Sequence, residues 1–163
     1  MRNIVAYAVL LVLLAAGSEA QNISTPAQES ITDAAIINLC GARFSKMFAL
    51  LGTPSNIRVD RRDTPEEDEV FCDYGTVGYG FEVRDKIIRT CYFFSAWKNP
   101  IRGVKMGFSR EDVARVLGTA PIIVKDKNGA VTAYGYELKD LEAQFFANFD
   151  EGGKVWRVEV SLK

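Results

Sequence analysis

The sequence predicts an α+β protein built as a tandem repeat. Each unit is a helix plus a four-stranded antiparallel meander, and the two are joined into one sheet with the helices packed on one face. Three observations carry this expectation. Segment 41–54 lies over segment 107–120 at an offset of 66 (107 − 41), and self-similarity at such a period marks one supersecondary unit used twice. Each copy opens with a helical apolar stripe and continues as short alternating segments divided by turn residues. The chain has 163 residues, 48% hydrophobic and 25% charged, which suits one ordinary globular domain rather than a multidomain enzyme.

Residues 1–20 read as an export signal. A short basic start precedes the apolar run from Ile4 to Ala16, and Ser18 and Ala20 place small residues before a cut at Gln21. An uncleaved N-terminal anchor is the alternative, although the run is short for a bilayer span. Residues 21–32 form a polar, flexible leader, in which Asn22-Ile23-Ser24 matches a glycosylation sequon. Repeat unit 1 occupies residues 33–99 and repeat unit 2 residues 100–163. No Gly/Ser linker separates them, so they are expected to fold as one unit.

In unit 2 the helix begins at Ser109, a natural N-cap, with Glu111 and Asp112 complementing the helix dipole. Val113, Val116 and Leu117 form its apolar stripe and Gly118 ends it. Met47, Leu50, Leu51 and Gly52 do the same in unit 1, where Arg43 is a weaker cap. Strands are expected near 56–60, 69–74, 77–84 and 86–94, and again near 122–125, 131–139, 141–149 and 154–162. Asp126–Gly129 and Asp150–Gly153 are hairpin turns in which glycine supplies positive φ.

Alternation assigns the faces. Val77, Tyr79, Phe81 and Val83 point toward the helices, as do Phe145, Ala147 and Phe149. The superposition continues to Asp85 over Glu151; Gly152 and Gly153 then read as an insertion, so that 86–90 falls on 154–158. Trp156, Val158, Val160 and Leu162 then face inward, with Ile88, Thr90, Tyr92 and Phe94 as counterparts. Ile87, Arg89, Cys91 and Phe93 face outward, together with Phe71 and Phe146, and that outer surface is too apolar to be plainly solvated. Gly78 and Gly80 leave a shallow groove on it.

The run Val104-Lys-Met-Gly-Phe-Ser-Arg-Glu-Asp-Val-Ala-Arg-Val-Leu-Gly-Thr-Ala-Pro121 resembles the helix opening of the small outer-membrane assembly lipoproteins (the SmpA/OmlA family). It is equally similar to that of the secreted β-lactamase inhibitory proteins, which carry it twice in tandem. Unit 1 matches only at Gly41 and Leu51-Gly-Thr-Pro54. The tandem arrangement and the signal peptide look more like the inhibitors, whose disulfide pattern is not reproduced. The lipidation cysteine of the lipoproteins is absent.

The chemistry-bearing residues are few. With no histidine in the chain, a catalytic cysteine lacks its commonest base and metal sites their commonest ligand. No cofactor or metal site is expected; the acidic stretch 60–69 reads as a solvated loop, and a net charge of -1 gives no bulk attraction to nucleic acid. Of the three cysteines, strand parity favours a bond between Cys40 and Cys72, against the alternative of three free thiols. The expected function is that of an exported, non-enzymatic protein, periplasmic or secreted and not integral to the membrane. It binds another protein, a secreted enzyme or an envelope component, through the outer sheet face. Candidate contacts are Phe71, Ile87, Arg89, Phe93 and Phe146, with Trp97 either an anchor or a plug between the units. A structural or assembly accessory of the bacterial envelope is the alternative, and an enzyme of unrecognised type a third.

Overall fold

The computed structural model describes residues 31–163; the expected signal peptide, its cleavage point and the sequon lie outside them. Two helices open the described chain, α1 (Asp33–Ile37) and α2 (Phe44–Leu51). Four strands follow: β1 (Asn56–Asp60), β2 (Glu69–Asp73), β3 (Val77–Glu82) and β4 (Ile88–Phe94). After an irregular connection come α3 (Arg110–Leu117), β5 (Ile122–Lys125), β6 (Val131–Leu138), β7 (Ala143–Phe149) and β8 (Val155–Leu162). The strands form one eight-stranded sheet in the order β1-β2-β3-β4-β8-β7-β6-β5, with every neighbouring pair antiparallel.

This corrects the expected fold class. The molecule is mostly one antiparallel sheet with a few short helices, not a pair of helix-plus-meander units under a helical layer. The helices are too short to cover the sheet: α2 and α3 have 8 residues each and α1 has 5. They bury only Ile36 and Ile37 from α1, Met47 and Leu51 from α2, and Val113 from α3. Much of the remaining cover comes from irregular chain, in Leu39 and in Trp97, Ile101 and Val104 of the connection, all in the same core cluster. Removing that apolar surface from water is the main driving force for docking these segments.

Local chemistry explains the helix ends. In α3 the Ser109 hydroxyl accepts from Asp112 N at 3.2 Å while the Asp112 carboxylate accepts from Ser109 N at 3.1 Å, so two orphan donors are satisfied reciprocally. Helix α2 has no side-chain cap at Arg43, and the connection between β3 and β4 supplies a partner instead, the Lys86 carbonyl accepting from Phe44 N at 2.9 Å. The Tyr74 and Tyr136 hydroxyls donate to the carbonyls of Gly52 and Gly118, each at 3.1 Å, fastening the C-terminal ends of α2 and α3. Thr32, expected as the end of the leader, is already structural. It caps α1, its hydroxyl accepting from Ala35 N at 3.2 Å.

The inner face is built as expected on β3 and β7, where Val77, Tyr79, Phe81, Phe145, Ala147 and Phe149 are buried; Val83, expected with them, lies in the turn past the end of β3 and is half-buried. Ile88 faces inward as expected, but from Thr90 onward the expected faces of β4 are inverted. Gly80 pairs with Thr90 but Phe81 pairs with Ile88, so Arg89 is an extra residue in a β-bulge. Ile88 therefore points inward, and past the bulge so do Cys91 and Phe93, both 0% exposed. Tyr92 and Phe94 turn outward. Strand β8 carries the matching feature: Asn148 pairs with Arg157 and Phe149 with Val155, leaving Trp156 as the extra residue and 42% exposed. One inserted residue flips every side chain beyond it, because the side-chain period of a strand is two.

Candidate functional site

The outer face of the sheet, from the edge strand β1 across to β8, carries the most developed site among the described residues. The glycines of β3 make it. Phe94 leans from β4 over Gly78, where its ring atoms lie 3.1 Å from the place a Cβ would occupy. Phe71 leans from β2 over Gly80, at 3.6 Å on the same measure. The predicted groove is thus partly filled by aromatic rings. Tyr92 lies 4.8 Å from Phe71 and stacks parallel to Phe94 at 6.4 Å, centroid to centroid. A cavity of about 260 Å³ remains, lined by Asn56, Arg58, Phe71, Asp73, Phe94 and Arg157.

Two guanidinium groups are held on aromatic planes at this cavity. Arg58 lies 5.1 Å from the Phe71 centroid and its Nε is 3.0 Å from Asp60 Oδ1. Arg157 lies 5.4 Å from the Tyr92 centroid and 4.8 Å from that of Trp156. These are cation–π distances, and such stacking orients a planar cation; the Nε and Nη2 edge of Arg58 is already engaged by Asp60, at 3.0 and 3.3 Å, which leaves Nη1 outside that pair. The Arg157 Nε is buried and has no hydrogen-bond acceptor among the described residues, while its Nη2 lies 3.7 Å from Glu159 Oε2.

The acidic groups nearby are engaged or desolvated. Asp73 Oδ1 accepts from Gly75 N at 2.6 Å and so fixes the β2–β3 turn. Burial pushes the Glu159 carboxyl above its usual range; Arg157 opposes the shift and Glu69 adds to it. Burial likewise pushes the Tyr92 hydroxyl up to about 12. What this arrangement offers chemically is directed N–H donors and apolar ring surface.

Two of the sequence-predicted contacts lie on this face. Phe71 forms a cavity wall, and Phe146, half-buried on β7, lies across Gly135, with ring carbon Cε1 2.7 Å from that residue's Cβ position. The other four do not join them. Phe93 is a core residue, packed edge-on against Trp97 at 5.0 Å. Trp97 is 6% exposed and so is not an exposed anchor. Ile87 is half-buried beside Arg43 in an isolated bridge. Arg89, the bulge residue, is paired with Asp85. Sequence reasoning missed Arg58, Tyr92, Phe94 and Arg157. The signal for them was the Gly78-Tyr79-Gly80 stretch, whose bare outer surface invites aromatic neighbours from both sides.

Cys40 and Cys72, expected to be bonded, are free thiols, as is Cys91. The Cys40 Sγ lies 3.8 Å from the Val160 carbonyl oxygen, and Val160 is the register partner of Cys91, not of Cys72. Among the described residues no group of three or more Cys, Asp or Glu side chains is arranged to hold a metal ion. No helix among them is long and apolar enough to cross a membrane.

The fold and this face define the chain as a single-sheet antiparallel β protein with an arginine–aromatic surface site. No protein-family model matches it, and no curated protein does. Solved structures with a similar fold include YjgB, a DUF4309 family protein from Bacillus subtilis, at TM-score 0.55 and 17% identity, covering 82% of this chain and 86% of that one. Another is an extracellular protein containing an SCP domain from Bacillus anthracis, at TM-score 0.58 and 15% identity, covering 89% of this chain. This chain matches 49% of that protein's length. At such identities the likeness is one of fold alone.

Proposed function

We propose that this is an exported, non-enzymatic binding protein whose outer sheet face seats a carboxylate-bearing segment of a protein partner. The observation that carries the reading is the pair of stacked guanidinium groups, Arg58 and Arg157, on either side of a cavity walled by Phe71 and Phe94. Arginine and aromatic residues are the commonest energetic anchors of protein interfaces. Guanidinium N–H groups in a planar fork match a carboxylate. Export is supported by the basic and apolar start of the chain, and the extracellular neighbour agrees with it.

The test is binding of peptide arrays graded in acidic and aromatic content. Arg58→Ala combined with Arg157→Ala should weaken binding of the acidic peptides by at least about thirtyfold, with single losses near 2 kcal/mol for a true anchor. The binding should also weaken as salt is raised. Unchanged affinity in the folded double variant sinks the reading. An assembly role in the bacterial envelope is the second reading, favoured by the capped helix at Ser109–Gly118 that the resemblance singles out. The two part on where the partner resides: with soluble exported proteins for the first, with envelope fractions for the second.

A further inference from the structure

We propose that Cys40 and Cys91 are a disulfide-forming pair that locks the N-terminal segment onto the centre of the sheet. Cys91 lies on β4, directly opposite Val160 of β8. Cys40 precedes α2 and reaches the same point from above, its Sγ 3.8 Å from the Val160 carbonyl oxygen. The Cys40 side chain is a direct electrostatic neighbour of the Cys91 thiol. The backbone holds this approach on both sides of Cys40. Cys40 N donates to Ile37 O at 2.9 Å, Gly41 N donates to Ile88 O at 2.8 Å, and Ile88 N donates to Ala42 O at 2.9 Å.

The third cysteine is excluded by register. Cys72 pairs with Tyr79, and Tyr79 with Cys91, so Cys72 and Cys91 are separated by two strand spacings, about 9–10 Å. That exceeds the roughly 7 Å beyond which two Cα atoms cannot be bridged without moving backbone. Cys40 meets the sheet at Val160 of β8, the strand on the far side of β4 from β2.

The chemistry is thiol–disulfide exchange with an exported disulfide donor, for which oxidised glutathione is the probe. Cys40 is half-buried and Cys91 fully buried, so the thiolate of Cys40 attacks one glutathione sulfur first. A mixed disulfide forms and one glutathione thiolate leaves. The thiolate of Cys91, its proton lost to solvent, then attacks the Cys40 sulfur and expels the second glutathione thiolate. The protein dithiol is oxidised by two electrons and glutathione disulfide is reduced by the same two. Desolvation holds the Cys91 thiol well above its ordinary value, so the second step is slow and quickens as pH rises.

The bond in cells rests on the export reading, which supplies the oxidant, but the reaction in the tube does not. Sequencing the N-terminus of the exported chain tests export by itself. Purified full-length protein incubated with oxidised glutathione should lose two thiols. Peptide mapping should join Cys40 to Cys91 and leave Cys72 free. Reduction should lower the melting temperature by about 10 °C, as expected for a closed loop of this length. Cys91→Ala should stop at a glutathione adduct on Cys40. A Cys40–Cys72 link, a lasting adduct on Cys40 in the unsubstituted protein, or three thiols still free overturns the proposal. The map of the unsubstituted protein decides this even where Cys91→Ala fails to fold.

Discussion

Phe94 occupies the space that a side chain on Gly78 would need: its Cε2 and Cζ lie 3.1 Å from the Cβ position. The wall of the outer-face cavity therefore depends on a glycine in the neighbouring strand. Gly78→Ala should push that ring outward and cost about 1–3 kcal/mol of stability through overpacking. It should also weaken acidic-peptide binding, because Phe94 lines the cavity. Urea denaturation measures the first effect, and an unchanged midpoint contradicts the packing.

The bulges at Arg89 and Trp156 make a sharp test of face assignment. Phe93→Ala should cost roughly 3–5 kcal/mol, since it empties a fully buried site beside Trp97. Trp156→Ala should cost far less, because the indole is 42% exposed. The reverse order of melting temperatures means that the strands run without these bulges.

Glu159 should make the fold less stable as pH rises. Desolvation raises its folded-state pKa above the unfolded value of about 4.3. The folded state then holds the proton more tightly than the unfolded chain. Stability is full below the unfolded pKa and falls as pH rises through the folded one. Glu159→Gln should therefore melt higher than the parent at pH 7 and match it near pH 4. Equal melting curves at both values contradict the desolvation.

Asp68 works in the opposite direction. Its carboxylate accepts from Arg62 N at 3.0 Å and is paired with Arg61. The backbone hydrogen bond from Arg62 is the chief cause of a lowered pKa; burial opposes it, and the Arg61 contact and charge assist. The stability it adds is present above the unfolded value of about 3.9 and is lost as pH falls through the folded pKa. Asp68→Asn should lower stability at pH 7 and narrow the gap to the parent in acid, as followed by tryptophan fluorescence. A gap that stays constant with pH assigns Asp68 no electrostatic part.

The sequence by itself determined the elements that local chemistry controls. Ser109 and Gly118 bound a helix because a hydroxyl cap and a positive φ are needed at its two ends. The alternation of Val77, Tyr79 and Phe81 is legible because a half-buried strand sorts side chains with period two. Phe71 and Phe146 fall on the outer face by the same reasoning. Tertiary structure decided what crosses between segments. The bulges at Arg89 and Trp156 appear only when β4 and β8 are paired with their neighbours, and each reverses the faces on one side of it. The Arg157–Tyr92 stack joins strands 65 residues apart (157 − 92), and the approach of Cys40 to Cys91 depends on where an irregular segment lies over the sheet. Register and docking are settled by pairing and burial summed over distant parts of the chain, and no single segment carries that sum.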